Sequence, residues 1–520
     1  MNIGSLLTQA ARTFPQRPAI ISGDRQSTYA EYNCRSNRLA DALTRLGLRP
    51  GDRVALLMVN CPEMLEAMFA CFKAGFGAVP INFRLHANEF AVLIDHSEAR
   101  AVLVSSEFDA SIVEVRDRIP KVEHIYTVSP APEGELKGYE TLLTGGSDRF
   151  EDVECSPDDI AWIFYTSGTT GQSKGAMLTH RNLMAMTWTF FADMAPDFGT
   201  AEVDLHAAPL SHGSGLYALP NIAKAATNII SQKSFDAENI LQLIEKYEVT
   251  NFFAAPTMIK RLLECPAFDQ YNVSSIKAVV YGGAPMLVND MMTAMEKLGP
   301  CLVQLYGQGE SPMTITFLAH EDHVLEGSPE QMKRLGSAGY ARTGVEVAVV
   351  DARDQPLPTG EVGEIVTRSD LVMKGYWRNP EATADTLRNG WLHTGDVGYL
   401  DEQGYLFLMD RSKDMIISGG ENIYPREIEE AIIRHAAVRE VAVIGIPDPE
   451  WGEAIKAVVS LVPGQSVSEA ELIDFCKQQI ASYKKPKSVD FVDELPKNSY
   501  GKIVKRELRD RYWSDRERKV

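Results

Sequence analysis

A chain of 520 residues is too long for one hydrophobic core and predicts two or more domains. Its 45% hydrophobic and 24% charged content is that of an ordinary soluble globular protein. The net charge of −19 argues against nonspecific binding to nucleic acid or to anionic membrane surfaces.

Strand-like apolar runs alternate with helical periodicity through most of the chain. Residues 54–59 read as a strand and residues 62–73 as a helix, with Pro62 at its start and Gly75 past its end. Residues 101–105 are strand-like again. Residues 160–164 form an apolar run that reads as a buried strand and leads into the loop 165–175. There Gly168, Gly171 and Gly175 let the backbone fold tightly around an oxygen-rich ligand. Thr166, Ser167, Thr169, Thr170 and Ser173 supply hydroxyls, and Lys174 supplies a positive charge, a combination suited to polyphosphate. It is not a Walker loop, because Ser173 stands where that motif requires glycine.

Residues 237–247 show helical spacing, and residues 276–281 read as a strand. Gly282, Gly283, Ala284 and Pro285 follow it, where open α/β sheets receive ligands. The run 301–305 leads likewise into Tyr306, Gly307, Gln308, Gly309 and Glu310, an aromatic face for a base beside a carboxylate suited to Mg²⁺. From about residue 345 the texture changes to short strands (345–350, 360–366, 404–409) with turns between them. Thr394, Gly395 and Asp396 place a carboxylate in a turn, an acceptor for a pair of ribose hydroxyls. The charged stretch from Asp410 to Lys413 is the predicted boundary, giving domains 1–410 and 411–520. Beyond it, residues 427–434 and 468–480 read as helices, the latter with Ser468 and Glu471 spaced as a capping box. Residues 441–446 read as a strand. Lys502 sits on a turn-rich loop before the helical pattern 504–511. The predicted fold is α/β: a large N-terminal domain of two βα-layered sheets with a small β-barrel-like part, then a small mobile α+β C-terminal domain.

From Arg411 onward the chain holds 19 Lys+Arg against 19 Asp+Glu, so the whole negative excess precedes it. The local cluster Lys484, Lys485 and Lys487 in this neutral part is a candidate for meeting a polyanion. The 7 cysteines are scattered and show no CxxC spacing, which fits a reducing cytoplasm and no zinc site. No signal peptide, peroxisomal address or apolar stretch near the ~18 residues of a membrane span is visible. A cytoplasmic protein without integral membrane association is expected.

Taken in order, these segments resemble the adenylate-forming superfamily of acyl-CoA synthetases, luciferases and peptide-synthetase adenylation domains. The resemblance covers nearly the whole chain. The family's phosphate loop is similar to residues 166–175, its adenine-side segment to residues 282–285, and its Y-G-x-T-E motif to residues 306–310. Its ribose aspartate would be Asp396, its D-R-x-K-D hinge motif residues 410–414 with Arg411 at the nucleotide, and its P-K-x-x-x-G-K motif residues 496–502.

The resemblance implies an AMP-forming acid–thiol ligase. A carboxylic acid and ATP would give acyl-AMP and pyrophosphate, and coenzyme A would then take the acyl group. Thr166 and Glu310 would hold Mg²⁺, Lys502 would bridge carboxylate and α-phosphate, and His212 would orient the carboxylate or gate CoA access. After rotation about Lys413, Ser418, Gly419, Gly420 and Glu421 would line the pantetheine tunnel. One residue departs from the pattern: Gly309 replaces a threonine that holds the α-phosphate, and it is expected to shape substrate choice. The small residues 213–215, 282, 283 and 309 favour a roomy pocket, with Phe252, Phe253, Tyr306 and Met313 as walls, for a fatty or aromatic acid. The partners are small molecules, and a homodimer is the candidate assembly. The rival readings are a carrier-protein-loading adenylation enzyme, an acyl-AMP ligase without CoA activity, and a luciferase-like adenylate oxygenase.

Overall fold

The computed structural model describes the chain apart from residues 131–135, 167–172, 196, 233–234, 285, 287, 412–413, 419–420, 449–450, 481, 498–502 and 514–520. It divides into two compact units, Met1–Val347 with Thr367–Leu392, and Ala348–Val366 with His393–Val520.

The first unit carries two large sheets. In the nine-stranded sheet, the strands Pro18–Ser22, Thr227–Ile230, Val203–His206, Asn251–Ala254, Ala278–Gly282 and Leu302–Gln308 run parallel in that order. Ser311–Leu318 returns antiparallel beside Leu302–Gln308. The seven-stranded sheet is parallel except at its edge, where Ile160–Thr166 and Lys174–Thr179 form an antiparallel hairpin. One core cluster draws on both sheets, with Ile20 and Ile230 from one and Leu56, Trp162 and Phe164 from the other.

Every residue of the helix Pro62–Lys73 is buried, charged ones included. Burying those charges requires partners. Glu66 receives Arg35 Nε at 2.6 Å and the Tyr139 hydroxyl at 2.8 Å, while Lys73 meets Asp152 at 3.0 Å. The βα alternation expected of this region is therefore present, with Ala237–Tyr247 among its helices.

In the second unit, the Asp396–Leu400 part of the strand Trp391–Leu400 pairs antiparallel with Leu406–Arg411. A long hairpin, Val438–Asp448 with Gly452–Leu461, anchors a five-stranded sheet. The helices Pro425–Ile432, Glu469–Gln479 and Lys505–Trp513 belong to the same unit, and Ser468 and Glu471 make the capping box. The α+β character is as expected, although this sheet is mainly antiparallel. Among the described residues, the core clusters around this sheet draw only on positions from Ile416 onward. No helix among the described residues is long and apolar enough to cross a membrane.

Candidate active site

The hairpin at the edge of the seven-stranded sheet sets Thr166 opposite Lys174 and Tyr165 opposite Gly175. Ser167, Gly168, Thr169, Thr170 and Gly171, which it carries, lie outside the described residues, as do Pro285, Gly419, Gly420 and Lys502. For Arg411 and Glu421 only the backbone is described; they lie on Leu406–Arg411 and Glu421–Ile423.

A distant segment docks along the returning strand. Ala176 bridges Tyr376, the Met177 N–H donates to Gly375 O at 2.9 Å, and the Trp377 N–H donates to Gly175 O at 2.8 Å. In the other sheet, Gln308 pairs with Ser311, leaving Gly309 and Glu310 as the turn of a hairpin. The Met373 N–H donates to the Glu310 carbonyl at 2.8 Å, which draws that turn to the same place.

Four side chains meet there. The Tyr376 hydroxyl donates to Glu310 Oε1 at 2.6 Å, and the Thr166 hydroxyl lies 3.5 Å from the same oxygen. Lys174 Nζ stands 5.0 Å from the Tyr376 ring centroid. Burial, reinforced by the Glu310 charge, pushes the Tyr376 phenol well above its usual range, so it stays a donor. The structure thus brings Thr166, Lys174 and Glu310 together around Tyr376. Tyr376 was not anticipated, and its only local signal is an aromatic pair following Gly375.

A carboxylate beside a hydroxyl offers the hard oxygens that Mg²⁺ prefers. Among the described residues no group of three or more His, Cys, Asp or Glu could hold a metal. An ion here would take its other ligands from phosphate and water, as Mg²⁺ commonly does.

His212 packs on Phe164, two residues before Thr166, with the ring centroids 4.9 Å apart. Burial lowers its pKa to about 4, so it is a neutral imidazole near pH 7. The small residues around it do not widen a pocket, contrary to expectation. A Cβ on Gly213 would meet the Phe253 ring at 2.7 Å, one on Gly215 the Leu210 carbonyl at 1.9 Å, and one on Gly282 the Leu305 side chain at 2.5 Å. At Gly309 it would meet Thr166 Cγ2 at 2.3 Å and Phe164 Cδ1 at 2.9 Å. These glycines admit neighbouring groups, so the volume they leave is already filled. Gly283 differs: its φ is +79°, and a Cβ there would meet no atom of the described residues within 4 Å.

Of the expected wall residues, Phe253 packs in the cluster that Met313 borders, whereas its strand neighbour Phe252 faces a different core. Tyr306 and Gln308 lie on the strand itself, and Gly307 passes within contact of the Met313 backbone. Met313 holds φ at +59°, a left-handed conformation unusual outside glycine and often found at functional sites.

In the second unit Asp396 sits on the strand Trp391–Leu400, opposite Arg411, where a turn was expected. Gly395 takes φ +67°, and the pairing with Leu406–Arg411 begins at the next residue, Asp396. The Thr394 hydroxyl holds this segment by donating to Ile365 O at 2.6 Å and accepting the Asp396 N–H at 3.1 Å. Lys484 is bonded to both oxygens of Glu427 at 2.8 and 2.7 Å, and Lys487 meets Asp448 at 3.4 Å. That cluster is largely neutralised within the protein.

The model of AMP-binding enzymes matches residues 7–377, and that of the AMP-binding enzyme C-terminal domain matches residues 427–502. The chain belongs to the AMP-binding enzyme family. It is 40% identical to a feruloyl-CoA synthase of an Amycolatopsis species over 514 residues, 98% of this chain and 99% of that one. It is 35% identical to the fatty acid–[acyl-carrier-protein] ligase ScoC of Streptomyces coeruleorubidus over 508 residues, 97% and 95% of the two chains. Among solved structures, ATP-bound MatB from Rhodopseudomonas palustris matches with a TM-score of 0.88 and 32% identity over 99% of each chain.

Proposed function

We propose that this family member is an ATP-dependent, AMP-forming acyl-CoA synthetase acting on a fatty or aromatic carboxylic acid. The observation that carries the proposal is the meeting of Thr166, Glu310 and Tyr376 at the stem of the hydroxyl- and glycine-rich loop.

In the first half-reaction a carboxylate oxygen attacks the α-phosphorus of ATP and the bond to pyrophosphate breaks. Two anions must approach, so charge neutralisation and positioning supply most of the catalysis. Ser167, Gly168, Thr169, Thr170, Gly171 and Lys174 cradle the β- and γ-phosphates. Glu310 and Thr166 are the residues that would hold Mg²⁺, which would neutralise phosphate oxygens. Gly283, Ala284, Pro285, Tyr306, Gly307 and Gln308 receive the adenine, while Asp396 and Arg411 serve the ribose side. Lys502 bridges the carboxylate and α-phosphate as a point charge on a flexible stem. His212, neutral near pH 7, orients the acid or gates CoA and is not a general base.

In the second half-reaction the CoA thiolate attacks the adenylate carbonyl and AMP departs. Residues 411–520 move against 1–410 about Lys413, withdrawing Lys502 and presenting Gly419, Gly420 and Glu421 to the pantetheine. The core clusters around the C-terminal sheet, which among the described residues draw only on positions from Ile416 onward, support that division, although the compact unit that contains them also takes in Ala348–Val366 and begins again at His393. A cytoplasmic setting accords with the cysteine pattern, and a homodimer is the proposed assembly.

One relative's acceptor is an acyl-carrier protein, which makes carrier loading the second reading. Incubating the protein with ATP, Mg²⁺ and aryl or fatty acids, with CoA or with holo-carrier protein, separates the two. The synthetase reading expects acid-dependent pyrophosphate release, with AMP release that requires CoA. AMP release that requires carrier protein and ignores CoA favours the rival.

A further inference from the structure

Behind Met313 lies a narrow enclosed cavity walled by Met186, Phe190, Leu216, Tyr217, Met313 and Arg342. Its lining is mainly apolar; the polar residues are Tyr217, whose hydroxyl donates to the Met194 sulfur at 3.7 Å, and Arg342, which is only 3% exposed. Arg342 Nε meets Asp193 Oδ2 at 3.1 Å and Nη1 donates to the Met313 carbonyl at 3.2 Å. The same Asp193 also accepts the Thr343 N–H at 3.1 Å and the Thr343 hydroxyl. Arg342 Nη2 is buried and has no hydrogen-bond acceptor among the described residues. An unsatisfied guanidinium nitrogen is costly inside a protein, and folding normally avoids it.

The cavity adjoins the acid-binding residues through Met313. The Met313 sulfur lies 3.2 Å from where a Cβ on Gly213 would stand, and Gly213 follows His212. An acyl group held by its carboxylate near His212 therefore has this cavity as its continuation, with Arg342 in its wall beside Met313. Room at present is that of about one water molecule, so an acyl group must push side chains aside. Met186 and Met313, flexible thioethers, are the walls suited to yield.

Charge decides what this wall accepts. Asp193 already neutralises Arg342, so a second carboxylate would add a net buried anion. A plain alkyl or phenyl end would leave Nη2 unsatisfied. A neutral acceptor oxygen satisfies the nitrogen and adds no charge. We propose that Arg342 is a specificity residue that selects acids bearing a neutral acceptor oxygen, a hydroxyl or an ether, at the end remote from the reacting carboxylate. This rests on the acyl-CoA synthetase reading and narrows its substrate class.

The test is a matched series on the full chain: 3-phenylpropenoic acid and its para-hydroxy, para-methoxy and para-carboxy derivatives. The readout is kcat/KM for CoA-dependent AMP release. The hydroxy and methoxy acids should exceed the unsubstituted acid by about 10- to 100-fold, the effect of satisfying one buried charged donor, and the carboxy acid should not. Arg342→Lys keeps a cation facing Asp193 but loses the forked second nitrogen, so the advantage should shrink to about threefold or less. Equal rates for the oxygenated and unsubstituted acids in the wild type, a preference for the para-carboxy acid, or an unchanged ranking in R342K overturns the proposal while acyl-CoA synthesis stands. The wild-type ranking decides the matter even where R342K does not fold. No AMP release with any acid overturns the synthetase reading, and this proposal with it.

Discussion

Gly309→Ala probes the packing on which the phosphate site depends. The added Cβ would lie 2.3 Å from Thr166 Cγ2 and 2.9 Å from Phe164 Cδ1. Carbon pairs rest at ~3.5–4.0 Å, so the first contact alone is too close by more than ~1 Å. Overpacking of this kind costs ~1–3 kcal/mol, a factor of roughly 5 to 150. The strain cannot fall on a harmless group, because the Thr166 hydroxyl is 3.5 Å from Glu310 Oε1. We expect G309A to lower acid-dependent pyrophosphate release by about tenfold or more. Thr166→Ser removes the offending methyl but keeps the hydroxyl. In the G309A background it should therefore recover part of the loss, the Phe164 contact remaining. A double-mutant cycle on pyrophosphate release, run beside thermal unfolding, measures the coupling. G309A matching the wild type in both assays, or T166S giving no recovery, would refute the view that this glycine exists to admit Thr166 and Phe164.

Two further predictions concern the same site and its surroundings. Tyr376→Phe removes the 2.6 Å hydrogen bond to Glu310 and keeps the ring under Lys174. Losing such a supporting contact typically costs ~10–100-fold in metal affinity, so the Mg²⁺ concentration for half-maximal pyrophosphate release should rise by about that factor; an unchanged Mg²⁺ dependence counts against Glu310 as the metal ligand. Burial lowers the pKa of His180, His206, His212 and His323 to about 4, against an ordinary 6.5. The unfolded chain thus binds protons first, so stability is whole above pH 6.5 and is lost as pH falls toward 4, by up to ~1.4 kcal/mol per pH unit for each ring. Urea midpoints should fall steeply across that window, and a flat profile would mean that these rings titrate normally in the fold.

The parts of the site that could be read from the chain are those whose chemistry is local. A glycine- and hydroxyl-rich loop after a strand, a glycine pair at a strand end and a capping box each declare themselves within a few residues. What escaped depends on pairing across long separations. Tyr376 reaches Glu310 only because its segment docks along Lys174–Thr179, and nothing near Tyr376 in sequence records that partner. Asp396 reads as a turn residue because Gly395 precedes it, yet it is the first residue of the strand pairing with Leu406–Arg411.

The glycines teach the same point with the opposite sign. A missing side chain means open space or a filled one according to what stands opposite. At Gly213, Gly282 and Gly309 the occupants are Phe253, Leu305 and Thr166, each far away in sequence. Reading those positions as added room therefore inverted their effect: the space at each is already taken. Among the described residues, the cavity lined by the deformable thioethers of Met186 and Met313 and by the Arg342 guanidinium offers the acyl group a continuation. By sequence alone Arg342 is one cation among many, because Asp193, which neutralises it, lies 149 residues earlier. That pairing turns a positive charge into a donor selective for neutral oxygen, so the substrate preference of this site depends as much on Asp193 as on Arg342.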